Sequence, residues 1–265
     1  MQGNDTMTTR SRLDSDAEIP LPRLRTISHL WTCAAVLAGV GVAAMAIDVP
    51  LATWVQLGKC PHIIEKLCTL SETFGHGLGV LIIVITIGVL DPWHRYAIPR
   101  ILTAALGAGL LANVFKLLVG RTRPLHFDLR EPGLDSFSEW FPLLGNSAWD
   151  QSFPSSHTAV AAGLAIVLAY YYPRGRWLFP AFAAVAGFER IVDQYHFASD
   201  IFWGAAVGCI FAPLAVYGSV LSRTFDRLEA WLLERGEDRA ARRLQKRVLR
   251  GDRAGARPID TTRAA

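Results

Sequence analysis

The stretch Phe188 to Asp200, FERIVDQYHFASD, sets an arginine, a histidine and an aspartate at the mouth of a long apolar run. His196 and Asp200 are four residues apart, so on a helix they share a face and the carboxylate can hold one ring nitrogen. That would fix the tautomer and leave the other nitrogen as a base, nucleophile or ligand. Arg190, six residues before the histidine, is a permanent cation with a planar fork suited to phosphate or carboxylate. Charges this close to a membrane segment are costly and mark function by default. The plainer alternative is a structural His–Asp pair with an arginine at a helix end.

Two upstream stretches carry the same kind of group. KLLVGRTRP crowds Lys116, Arg121 and Arg123 into eight residues before Pro124 stops the helix. A lone basic residue at a helix end snorkels to the headgroups, but three together, with Lys116 a full turn inside, exceed that need. FPSSHT then opens another apolar run. Its Pro154 and serines suit a first helical turn, whose unpaired N–H groups form an anion site beside Ser155, Ser156 and His157. Taken alone, PSSH is a capping sequence with a stray histidine.

The elements that must position these groups are apolar blocks. In 265 residues, 51% are hydrophobic, and they cluster rather than alternate, which points to membrane helices and away from a soluble domain. Ile27–Ile47 is the clearest span; Gly77–Leu90, Ala97–Leu118, Thr158–Tyr172, Trp177–Val192 and Phe197–Leu221 follow. Three of these cores are shorter than the roughly 20 residues needed to cross. The expectation is an all-α integral membrane bundle of about six transmembrane helices: residues 1–26 a cytoplasmic tail, 27–221 the bundle, and 222–265 a basic cytoplasmic tail. Ala44-Met45-Ala46 resembles a signal cleavage site, but the long leader and long apolar run favour a retained anchor.

Alternating spans place both termini on one side, with 20 of the 27 basic residues, twelve of them from Arg223 onward. The positive-inside rule makes that side cytoplasmic. The net charge of +4 therefore reports topology rather than a nucleic-acid partner. Asp48 to Phe74 reads as an interfacial helix or a packed loop, and Leu125 to Phe153, which carries Phe137, Trp140, Phe141 and Trp149, as a belt anchor or a lid. Phe225, Leu228, Trp231 and Leu232 recur at helical spacing ahead of an arginine-rich run, which reads as an amphipathic helix drawn to anionic headgroups. Cys60 and Cys68 would be about 12 Å apart on a helix, too far for a disulfide, and no zinc spacing is present. His76, near Glu72, is placed where it could face the site, though the plainer reading is structural.

Topology brings Lys116 and Arg123, the PSSH turn, and Arg190, His196 and Asp200 to the outward face. Three cations, two histidines, a carboxylate and a helix N-terminus suit phosphoryl transfer, where catalysis is mostly positioning and charge stabilisation. KLLVGRTRP, PSSH and ERIVDQYHFASD also resemble, in order, the three signatures of the type 2 phosphatidic acid phosphatases, of the superfamily shared with vanadium haloperoxidases and bacterial acid phosphatases. That resemblance implies His196 as nucleophile, Asp200 as its orienting partner, and His157 as the acid that protonates the leaving oxygen and then activates water. It implies Lys116, Arg123, Arg190, Ser155 and Ser156 as phosphate ligands, with no metal or other cofactor.

The chain departs from the family pattern twice. Ser156 stands where glycine is usual, and Glu189 where serine is frequent; a glutamate facing phosphate would repel it, so Glu189 is expected to point away or pair with a basic neighbour. The implied activity is a membrane lipid phosphatase with a phosphohistidine intermediate. Its candidate substrates are undecaprenyl diphosphate, phosphatidylglycerol phosphate, phosphatidate and lipid A phosphate. The competing reading is a non-catalytic lipid-binding or transport protein on the same fold. A bacterial inner membrane is the expected location, and the charge bias turns the site toward the periplasm or cell exterior; the oligomeric state does not follow from the sequence.

Overall fold

The computed structural model describes residues 21–255, apart from Leu144 and Asn146. Among these, nine helices form: α1 (Leu21–Ala44), α2 (Asp48–Gln56), α3 (His62–Ser71), α4 (Gly77–Leu90), α5 (Ile98–Lys116), α6 (Ser156–Tyr171), α7 (Leu178–Val192), α8 (Ala198–Val216) and α9 (Val220–Gly255). The six expected apolar segments correspond to α1 and to α4 through α8. Three helical stretches, 26–56, 95–116 and 198–216, are long and apolar enough to cross a membrane, and α3 with α4 adds a fourth if their 66° bend is one broken span. The chain is an integral membrane protein of mostly helical fold. At 16 and 15 residues, α6 and α7 fall short of a full crossing; α6 is largely covered by its neighbours, while α7 keeps an exposed apolar face with Leu178, Phe182 and Val185.

The all-α expectation needs one small correction. Helix α5 stops at Lys116, before the proline expected to end it, and Val119–Gly120 (β1) then pairs antiparallel with Glu139–Trp140 (β2) as the chain doubles back beyond Pro124. A second correction concerns Asp48 to Phe74, which forms two helices and a bend rather than one interfacial helix. Asp48 itself is fully buried.

Helices α5, α6 and α8 pack on one another at the centre, with α1 against α8 and α7 against α6. Small residues make this possible. Ala104, Ala105, Ala108, Ala161 and Ala212 are all without exposure, and a Cβ on Gly109 would sit 2.5 Å from Val160 of α6. Without a hydrophobic drive between helices inside lipid, such close backbone approach is a main source of cohesion.

The boundary expected near residue 222 is not a break. Ser222 and Phe225, in the first turns of α9, are buried. The fully buried Arg100 of α5 pairs with Asp226 at 2.6 Å and Glu229 at 2.8 Å, and Tyr171 donates to Glu229 at 2.7 Å. The foot of α9 thus belongs to the bundle, and its backbone stays helical to Gly255. Most of the tail expected over residues 1–26 lies outside the described residues. All four cysteines are free thiols.

Candidate active site

A cavity of about 630 Å³ opens where α4, α5, α6 and α7 end together, and Lys116, Arg123, Ser156, His157, Arg190 and His196 all line it. The local sequence explains how each arrives. Lys116 is the last residue of α5 and donates to the Gln151 carbonyl at 2.8 Å. Arg123 follows β1 in extended backbone, fixed by its own N–H to the Trp149 carbonyl at 2.9 Å. Its guanidinium lies 5.2 Å from the Tyr195 ring, and its buried Nε has no partner among the described residues. Burial, followed by Arg190, lowers the pKa of Arg123. A cation so placed is a poor tenant of an empty cavity and a good host for an anion.

The two serines part company. Ser155 is the N-cap of α6, wholly buried, with its hydroxyl accepting from the Thr158 N–H at 3.3 Å and the Thr158 hydroxyl at 3.0 Å. It does not line the cavity, so its geometry is that of a cap rather than the phosphate ligand expected from the sequence. Ser156, the first helical residue, does line it, where the leading N–H groups of α6 lack helical partners. His157 follows, with Nε2 donating to the Glu72 carbonyl at 3.0 Å.

His196 and Asp200 are not on one helix face, as their spacing had implied. After α7 the chain turns back, and the Arg190 carbonyl accepts from both Tyr195 and His196 N–H groups. Only after Phe197, the N-cap, does α8 begin, with Asp200 in its first turn. The His196 Nδ1–Asp200 Oδ2 distance is 3.7 Å, an electrostatic contact longer than a hydrogen bond. Such contacts in substrate-free sites tighten when the reacting complex forms. Burial pushes the His196 imidazole down to about 4, with the Lys116 and Arg123 cations adding to the effect and Asp200 opposing it.

What holds Asp200 was only partly visible in the sequence. Arg121, among the basic trio but not among the expected site residues, is fully buried between the Phe137 and Phe197 rings, 4.5 and 4.3 Å from their centres. Its fork reaches Asp200 Oδ1 at 2.5 Å, Asp48 Oδ2 at 2.7 Å, Ser199 Oγ at 2.7 Å and Ser136 Oγ at 2.9 Å. Asp200 Oδ2 meanwhile accepts from Ser152 at 2.7 Å and the Phe197 N–H at 2.9 Å. The loop from 125 to 153 is therefore pinned through Ser136, Asp150, Gln151 and Ser152 rather than hung free as a lid.

Glu189 is buried and grips Arg190 with both oxygens, Oε2 to Nε at 2.5 Å and Oε1 to Nη2. This is the pairing with a basic neighbour that the departure required. Asp193 and Glu72 also face Arg190, at 3.4 and 3.3 Å. His76, read as structural, sits on the cavity wall with its ring 6.1 Å from that of His157. Its Nδ1 accepts from the Leu78 N–H at 3.2 Å, which leaves the ring proton on Nε2. The only sequence signal for it was a histidine between two glycines at a helix start.

Helix ends, buried cations and histidines converge on this cavity, and residues 98–223 match the model of the PAP2 superfamily. The chain resembles the PAP2 superfamily over that stretch, 126 of its 265 residues. It is 38% identical over 107 residues to the lipid A 1-phosphatase of Rhizobium johnstonii, covering 40% of this chain and 41% of the relative. It is 37% identical over 112 residues to that of Rhizobium etli, covering 42% and 46%. The chain thus matches less than half the length of these curated relatives. The crystal structure of Aquifex aeolicus LpxE superposes with a TM-score of 0.50 at 20% identity, over 64% of this chain and 94% of that one, a likeness of fold.

Proposed function

We propose that this protein is a membrane phosphatase that removes phosphate from a lipid, with lipid A phosphate as its preferred substrate. The observation that carries the reading is the cavity itself: three cations and three histidines, His76 among them, line one space, and the buried Arg123 Nε has no partner among the described residues. The names borne by the similar Rhizobium proteins direct the choice of lipid.

In this reading Lys116, Arg123, Arg190 and the leading N–H groups of α6 bind the phosphate oxygens. His196, neutral well below pH 7, attacks phosphorus through Nε2 as the P–O bond to the lipid breaks. Asp200 steadies the growing positive charge on the ring. His157, its Nε2 proton held by the Glu72 carbonyl, relays through Nδ1 a proton taken from the substrate phosphate to the leaving oxygen. It then takes one from water, which attacks the phosphohistidine, releases phosphate and restores His196. Stabilising charge in a site that is already organised supplies most of the acceleration. The charge bias of the loops supports a site on the periplasmic side, where it meets outer-leaflet lipids.

Purified protein in detergent should be given lipid A 1-phosphate, undecaprenyl diphosphate, phosphatidylglycerol phosphate and phosphatidate side by side, with phosphate release as the readout. The highest kcat/KM is expected on lipid A phosphate. Orthovanadate should inhibit, since its trigonal bipyramid resembles the transition state, and EDTA should do little. No release from any of the four would leave the lipid-binding or transport reading in its place.

A further inference from the structure

The turn from Glu72 to Gly77, where α3 bends into α4, lies outside the PAP2 match and outside all three signatures, yet it touches the site at three points. The Glu72 carboxylate is 3.3 Å from Arg190 Nη2. The Glu72 carbonyl holds His157 Nε2 at 3.0 Å. Gly75 packs so closely that a Cβ there would lie 2.3 Å from the His157 ring.

Arg190 is faced by three carboxylates, and they are not equivalent. Glu189 is buried at 1% exposure and grips the guanidinium with both oxygens. Asp193 sits at the end of the same helix and travels with the arginine. Glu72 comes from a different element, is 43% exposed and makes only one long contact. Of the two outer carboxylates, it is the one whose backbone also sets a catalytic histidine.

We propose that Glu72 is a positioning residue that acts as a resident counter-ion of Arg190. Its carboxylate pairs with Arg190 from beside the cavity and gives way to the substrate phosphate, while its carbonyl keeps His157 in register. Glu189 already compensates the buried side of Arg190; Glu72 adds a competitor on its exposed side, so only an anion able to outcompete a carboxylate gains that side of Arg190. A phosphate dianion does so; a carboxylate lipid does not. The inference rests on the phosphatase reading above.

Glu72→Gln removes the charge while keeping the side-chain length and the carbonyl to His157. Orthovanadate and inorganic phosphate should inhibit this variant about threefold to fivefold more tightly, as expected for release of one partly exposed ion pair. KM for the lipid phosphate should fall in parallel, with kcat within about twofold of wild type. Glu72→Asp should sit near wild type, and Asp193→Asn should tighten inhibition by less than about twofold. Unchanged or weaker inhibition in Glu72→Gln, or an equal effect from Asp193→Asn, would overturn the proposal. A wild-type protein that releases no phosphate would instead overturn the phosphatase reading, and thermal-shift binding of orthovanadate would then still test whether Glu72 competes for the anion.

Discussion

At the scale of single residues, the cavity divides its work among groups that cannot replace one another. His196→Ala is expected to abolish turnover, and His157→Ala to lower it by roughly the 10²–10⁴ that general acid catalysis contributes, with both proteins intact in size-exclusion profiles. Near wild-type release from either would break the assignment of roles. His196 also links stability to pH. Its folded pKa of about 4 lies below the ordinary 6.5, so between those values the unfolded chain binds the proton that the folded chain refuses. Stability from this group is fully present above about pH 6.5 and is lost as pH falls toward 4. The Tm of His196→Asn should therefore fall less between pH 7 and pH 5 than that of wild type; parallel slopes would contradict it.

At the scale of elements, Arg121 joins four segments: the start of α2 through Asp48, the strand exit, the 125–153 loop through Ser136, and α8 through Ser199 and Asp200. Breaking a buried ion pair by removing one partner costs about 3–5 kcal/mol. Arg121→Met, which strands two buried carboxylates, should lose that much in thermal or denaturant unfolding. Asp48→Asn should lose less, because Arg121 keeps Asp200. A lysine cannot span the same four acceptors, so Arg121→Lys should not rescue. This network also marks where the sequence stops being readable. Lys116, Arg123, His157, Arg190 and His196 stand out because ionisable groups at the ends of apolar helices need a reason. Asp48 announced nothing, since its partner is 73 positions away and its neighbours read as an interfacial loop. Glu72 and His76 were hidden for the same cause: a bend of 66° carries them to the site, and no local pattern encodes it. The helices themselves were legible because lipid demands long apolar blocks. The His196–Asp200 geometry was misread because spacing alone cannot tell the last residues of a loop from the first turn of a helix.

At the scale of the whole molecule, the proposed outward site rests on loop charge and can be tested with single cysteines in a background lacking the four native ones. Ser136 is unsuitable, being buried against Arg121. Leu134 and Trp93 are 68% and 84% exposed, on opposite sides of the proposed topology. A membrane-impermeant maleimide on intact cells should label Leu134→Cys and spare Trp93→Cys. The reverse pattern would turn the site to the cytoplasm and remove outer-leaflet lipids from consideration.

The ion pair between Arg100 and Asp226 spans 126 positions of chain. As the ribosome delivers this protein, α5 is made long before α9, and Arg100 must wait for its counter-charge until nearly the whole bundle has been synthesised. Asp48 waits likewise for Arg121, and both for Asp200. Assembly is therefore completed from the C-terminal side: the last helix supplies the charge that lets a middle one settle. A chain released before Asp226 would leave Arg100 as a bare guanidinium among apolar helices, without the counter-charges that α9 supplies.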